Sequence, residues 1–230
     1  MYPLFNLNYL IFMLPAFILM IATQWYVKAA YQRWSRVASR GQMTGLQAAQ
    51  RLIQSAALYN VRVEEIPGHM TDHYDPRSKT LRLSQGTART PSVAALAIAA
   101  HELGHAIQDQ EGYLPLKFRA AIVPAVNIGS YLGWFFIFVG LFFNATNLAV
   151  LGLVFFSGGV VFALATLPVE LNASARARTL LANSGLIWGN EEEKGVNAVL
   201  NAAALTYVAA LVTAILQLLY YANLIFGRRR

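Results

Sequence analysis

Three residues in one five-residue stretch of this chain can do chemistry together: His101, Glu102 and His105, in His101-Glu102-Leu103-Gly104-His105. Histidines at i and i+4 stand one turn apart on the same helix face, so both imidazoles reach one zinc ion. Glu102 is offset by one residue, which lets its carboxylate approach a water on that ion without becoming a ligand. With 4 His and 8 Glu among 230 residues, chance produces this HExxH pattern in roughly one such sequence in four hundred.

A catalytic zinc site generally has three protein ligands and a fourth position for water. A metzincin would have glycine three residues and histidine six residues past His105; Gln108 and Glu111 stand there, which excludes that class. Asp109 lies one turn beyond His105, but three side chains in a row along one helix cannot converge tetrahedrally, so it reads as a residue behind the ligands or a solvated one. Glu170 is the better third ligand. It follows a long uncharged run, in Leu167-Pro168-Val169-Glu170-Leu171-Asn172-Ala173-Ser174, and a lone carboxylate just past a membrane span is costly unless paired or metal-bound. Its other reading is a solvated carboxylate stabilised by the dipole of a helix that Pro168 begins. On that helix Ser174 is placed to hydrogen-bond the second nitrogen of a ligand histidine, with Asn172 as a further candidate behind the ligands.

Such a set implies hydrolysis. A zinc-activated water has a pKa of about 7; Glu102, as general base, takes its proton during attack on a scissile carbonyl and passes it to the leaving amine. Candidates to stabilise the oxyanion are His73 and Tyr74, in the polar turn Asp72-His73-Tyr74-Asp75-Pro76; the alternative is that Asp72, His73 and Asp75 only organise a loop. The row Thr80, Arg82, Ser84 reads as the outward face of an edge strand able to pair with an extended substrate.

The elements that must position these residues follow from composition. Only 13% of the chain is charged while 57% is hydrophobic, which points to a membrane protein rather than a soluble domain. The absence of cysteine excludes disulfides, cysteine-ligated zinc, iron-sulfur clusters and a thiol nucleophile. Charge-free stretches predict four spans, at 4–26, 122–143, 148–167 and 202–226, the middle two joined by the polar Asn144-Ala145-Thr146-Asn147. The first lacks a basic leading region and a small-residue cleavage site, so it reads as an anchor rather than a signal peptide.

The polar segments between the spans hold all 11 acidic and 15 of the 18 basic residues, and with four spans they fall on one side of the membrane. Lys28, Arg33, Arg36, Arg40, Lys117, Arg119, Arg176 and Arg178 lie near membrane ends, which makes that side cytoplasmic; Arg228, Arg229 and Arg230 run against it. The +7 net charge gathers beside the membrane, so anionic lipid is a better partner than nucleic acid. Within the first polar segment, helix one is expected to run on to Gly41, a helix capped by Thr44 to cover 45–59, and strands to form at 61–66 and 80–84, with Leu81 and Leu83 inward. The HExxH helix is expected to start at Thr90-Pro91 and run to Gln110. Glu191, Glu192 and Glu193 read as the acidic start of a helix capped by Asn190.

Asp72-His73-Tyr74-Asp75-Pro76-Arg77, Leu81-Arg82-Leu83-Ser84, the helix from Ala99 to Gln108 and the Pro168-Val169-Glu170-Leu171-Asn172-Ala173-Ser174 block together resemble the bacterial neutral zinc metallopeptidase family of YugP-like membrane proteases, over nearly the whole chain. The resemblance implies His101 and His105 as zinc ligands, Glu102 as catalytic base and Glu170 as third ligand. The arrangement is also similar to membrane metalloproteases whose third ligand is the Glu of an ExxAD helix, except that Ser174 replaces the aspartate.

The expected fold is a mainly α integral membrane protein, four transmembrane helices with a small α+β zincin-like domain at the membrane surface. Its organisation is transmembrane helix 1 at 1–27, the surface domain with the HExxH helix at 28–119, a transmembrane hairpin at 120–169, a helical segment with the third ligand at 170–201, and transmembrane helix 4 with a basic tail at 202–230. The expected function is that of a membrane-anchored zinc metalloendopeptidase of the bacterial cell membrane, acting on peptide or protein substrates from the cytoplasmic side. The alternative is a noncatalytic metal-binding scaffold or adaptor. Intramembrane cleavage is the weaker reading, because no Asp follows Asp109 to serve as a ligand from a later span.

Overall fold

The computed structural model describes residues 7–227; the start of the first predicted span at Leu4 and the Arg228 to Arg230 tail lie outside the described residues. The order of elements is α1 (Leu7–Ser35), α2 (Gly45–Ser55), β1 (Arg62–Ile66), β2 (His73–Asp75), β3 (Thr80–Ser84), α3 (Gln85–Arg89), α4 (Val93–Gln110), α5 (Leu114–Phe142), α6 (Thr146–Asn183) and α7 (Gly189–Phe226). The protein is mainly α, with four helices long and apolar enough to cross a membrane, at Tyr9–Ser35, Leu114–Phe142, Thr146–Asn183 and Gly189–Phe226, and one small α+β region.

The chain divides into two compact units. One takes the residues up to Thr23, Lys117–Pro168 and those from Thr206 onward. Its interior is a cluster of Met13, Ile137, Ala149, Tyr220, Tyr221 and Ile225, with Trp134 edge-on to both Phe156 and Tyr221. Most other side chains here point outward, Ile21, Tyr131 and Phe142 among them, as expected where the solvent is lipid.

The other unit, Gln24–Leu116 with Val169–Leu205, holds every residue singled out above for chemistry. Its core joins Leu52, Leu58, Leu81, Leu83, Leu103, Leu181 and Leu200 around the alanine-rich face of α4. α2 begins with a full capping box, Thr44 accepting from the Gln47 N–H and Gln47 returning the bond to the Thr44 N–H. The sheet has the order β1-β3-β2, with β1 parallel and β2 antiparallel to β3.

Several local expectations are corrected. α1 stops at Ser35 rather than Gly41, because the chain then pairs with the segment before α4: Ser39 N–H donates to Pro91 O and Val93 N–H to Val37 O, both at 3.0 Å. That pairing also moves the start of α4. Ser92, not Thr90, is the cap, accepting from the Ala95 N–H, and Pro91 stays outside the helix. α2 ends at Ser55 rather than 59, where Ala57 turns left-handed (φ 52°) and Leu58 N–H closes back on Ile53 O. The short strand β2 occupies the turn 72–76, and the five-residue helix α3 was not foreseen.

Two corrections bear on function. β3 is the central strand, paired on both sides, so the Thr80, Arg82, Ser84 row is no free edge; Thr80 and Ser84 are buried. Pro168 begins no new helix either: α6 runs through it unbroken from Thr146 to Asn183, and Glu170 sits in mid-helix. The acidic triplet does open a helix, since Glu191 and Glu192 lie in the first turn of α7. That helix begins at Gly189, ahead of Asn190, and Glu192 is buried, accepting from the backbone N–H groups of Arg40 and Trp188.

Candidate active site

α4 is helical because its first two turns are mostly alanine behind a serine cap, and its 3.6-residue period puts His101 and His105 on one side. Their rings stand nearly perpendicular, with centroids 5.0 Å apart. Glu170, reaching in from α6, places Oε2 3.4 Å from His101 Nε2 and 3.5 Å from His105 Nε2. Two ligands on a tetrahedral zinc with bonds of about 2.1 Å lie about 3.4 Å apart, so both separations match those of atoms sharing one ion. The outer nitrogens are occupied elsewhere: Ser174 Oγ lies 3.1 Å from His101 Nδ1, and Gln108 Oε1 3.0 Å from His105 Nδ1. Both Nε2 atoms therefore face the Glu170 carboxylate, which is itself 3% exposed. Two imidazole nitrogens and one carboxylate oxygen, held from behind and all within 4.8 Å of one another, are a donor set fit for one zinc-like ion.

Sequence comparison agrees with this chemistry. The model of a family described as "Putative neutral zinc metallopeptidase" matches residues 9–226. The chain belongs to this family. A relative from Bacillus subtilis (strain 168), described as "Putative membrane protease YugP", is 41% identical over 206 residues, covering 90% of this chain and 91% of that one. No solved structure matches.

In this metallopeptidase-family chain the remaining candidates fall into three groups. Glu102 points to the sheet: its Oε2 accepts the Tyr74 backbone N–H at 3.0 Å. Burial pushes its carboxyl above the usual carboxylate range; the charges of His101 and His105 pull it back, and Glu170 and Asp72 add to the rise. β2 is held for that contact by Asp109, which accepts from the Tyr74 hydroxyl at 2.7 Å and from Lys79 Nζ at 2.5 Å. Asp109 thus anchors the sheet to α4 and is not spent on solvent. The Tyr74 phenol is raised by burial and by that bond, and is committed to Asp109 rather than turned to a substrate.

His73, by contrast, is exposed on β2, with Nδ1 2.9 Å from Thr71 O. Asp72 ties the segment before β2 to the end of β3, accepting from both the N–H and the hydroxyl of Ser84. Asn172 touches neither histidine: its Oδ1 accepts from Gln108 Nε2 at 2.9 Å and from Arg176 Nε at 2.7 Å. Gln108 is the residue that the sequence reading missed. The available signal was its place three residues after His105, as the polar end of the row Leu96, Ala100, Gly104 at four-residue steps along α4.

What lets α6 come this close is Gly104. A β-carbon there would collide with the Ala173 carbonyl oxygen and lie 3.0 Å from its carbonyl carbon. Since the obstacle is backbone, a side chain at 104 must push the two helices apart. Gly104→Ala is therefore expected to cost about 1–3 kcal/mol in folding stability, seen as a lowered thermal unfolding midpoint in detergent. Gly41→Ala, at a position with nothing within 4 Å, is the control and should match the parent; equal midpoints for all three proteins would refute the close-approach argument.

Proposed function

We propose that this chain is a membrane-anchored zinc metalloendopeptidase whose site works at the bilayer surface. The observation that carries the reading is the convergence of His101 Nε2, His105 Nε2 and Glu170 Oε2 on one point beside Glu102. The family description and the relative's description as a membrane protease support the same class.

On this reading His101, His105 and Glu170 hold zinc. When bound, the ion supplies Lewis acidity, lowering the pKa of water to about 7 and drawing electrons from a carbonyl oxygen. Glu102 accepts the proton of the attacking water as its oxygen bonds to the scissile carbonyl carbon. The same carboxylate returns that proton to the amine nitrogen as the C–N bond breaks, leaving a carboxylate and an amine. Its contact with the Tyr74 N–H holds one carboxylate oxygen and leaves the other for the proton. Ser174 and, through Gln108, Asn172 keep the ligand rings in place. His73, exposed on β2 beside Tyr74, would donate to the oxyanion of a bound peptide by turning its Nδ1–H away from the Thr71 carbonyl.

Surface placement is supported by sequence, since Glu170 follows the last residue of a fifty-residue charge-free run. Juxtamembrane arginines and lysines support a cytoplasmic orientation in a bacterial membrane and contact with anionic lipid. The substrate is a peptide or protein.

Two variants separate this reading from a metal-holding scaffold. Glu170→Ala should lose most of the roughly one zinc per chain expected of the parent, measured by metal analysis. Glu102→Gln should keep its zinc while peptidase kcat/KM falls about 10²–10⁴-fold; full activity in that variant would remove Glu102 as the base, and a zinc-loaded parent without peptidase activity would leave only the scaffold. Orientation has its own test. As the chain has no cysteine, Tyr59→Cys, at a position 80% exposed, introduces a single thiol. An impermeant maleimide should label it only after the cells are opened, and labelling of intact cells would reverse the orientation.

A further inference from the structure

The buried Gln108 side chain carries a constraint that neither the motif nor the family description contains. It is fully buried, and all its polar atoms are used: Nε2 donates to Val169 O at 2.8 Å and to Asn172 Oδ1 at 2.9 Å, while Oε1 faces His105 Nδ1 at 3.0 Å. A backbone carbonyl can only accept, so the NH2 end of the amide must face Val169. Asn172 is oriented by the same logic, because the Arg176 guanidinium on its Oδ1 can only donate. The far end of the row is the Arg176–Glu111 ion pair at 2.6 Å, with Glu111 exposed. Every bond in the series has its direction set by a group of fixed character, and the series ends on a histidine.

We infer that Gln108 is a positioning residue that fixes His105 as a metal ligand: its Oε1, locked in place by Val169 and Asn172, requires the proton on Nδ1 and leaves the Nε2 lone pair for the ion. This rests on the zinc reading of the site. His101 has a looser partner, since the Ser174 hydroxyl can donate or accept. The two ligands are thus held differently, His105 by a one-way acceptor and His101 by a hydroxyl that adapts.

The test compares Gln108→Met with Gln108→Glu in the full chain, using Zn2+ alone in competition with a chromophoric chelator. Methionine has a similar length but gives Nδ1 no acceptor, so Zn2+ affinity should fall about 10–100-fold, the usual cost of removing such a partner. Glutamate keeps an acceptor on Nδ1 while losing both donors to α6. It should fold less stably than the parent yet hold Zn2+ within a few-fold of it. A role in packing alone would weaken Zn2+ binding in both variants together, and that result, or parental affinity in Gln108→Met, overturns the inference. If the parent binds no Zn2+, the metal reading fails on its own account. The inference is then decided, as it is if the Gln108 variants do not fold, by 15N spectra of metal-free Glu170→Ala at alkaline pH, where no Glu170 carboxylate competes for Nε2: the neutral His105 ring should carry its proton on Nδ1, and a proton on Nε2 would overturn it.

Discussion

The site depends on backbone touching backbone. Glu170 is separated from His105 by two long apolar helices' worth of chain, and it meets the histidines only because α6 lies against α4 where Gly104 has no side chain to hold off the Ala173 carbonyl. Once that contact is made, the rest follows from helical spacing. Glu170 and Ser174 are one turn apart on α6 and reach His105 and His101, which are one turn apart on α4. Val169 and Asn172, on the adjoining strip of α6, receive the Gln108 amide.

A chain with so few charges concentrates them where burial can be compensated. Glu170, Ser174 and Gln108 are all nearly inaccessible, and a buried polar group is tolerated only when its bonds are made. Gln108 shows how completely this can be done, with three partners on three different residues. The sheet contributes in the same way from the opposite side. Asp109 and Lys79 fix Tyr74, and Tyr74 presents a main-chain N–H to Glu102, so the proposed base is held by backbone rather than by another mobile side chain. Sites built on rigid elements hold their geometry more closely than sites on loops.

How much of this could be read from the sequence depends on the range of the interaction. The HExxH face and the apolar spans are local, set by residues within one or two turns of each other, and β3 appeared at its observed limits from alternation alone. The start of α4 could not be read locally. Thr90-Pro91 is a good helix start in isolation, but the pairing of Ala38 with Ser92 takes that segment into a bridge and passes the cap to Ser92. The same holds for β3, whose alternation says that one face is buried but not that strands lie on both edges. Pro168 misled for a different reason: proline is disfavoured inside a helix, yet a long apolar helix tolerates one when neighbouring groups meet the freed carbonyl. Gln108 was not legible because Asp109 was the polar group on α4 that spacing offered behind the ligands, and the amide gains its role only from Val169 and Asn172, 61 and 64 residues away.

The identity of the residues behind the histidines is also a statement about charge. In an ExxAD arrangement an aspartate would occupy the position of Ser174, and a buried carboxylate would be added to those of Glu102 and Glu170. Here the groups behind both histidines, a hydroxyl and an amide, are neutral. On the zinc reading, a dication then faces two neutral imidazoles and the two carboxylates of Glu170 and Glu102, which cancels its charge in a region of low dielectric. A further aspartate would leave the site negative and raise the cost of keeping Glu102 ionised, where burial already pushes its carboxyl upward. On the proposed reading, a neutral pair of supports adds no charge that would work against Glu102 as the base, and the sequence departure at Ser174 becomes a consistent feature of the site rather than a defect in it.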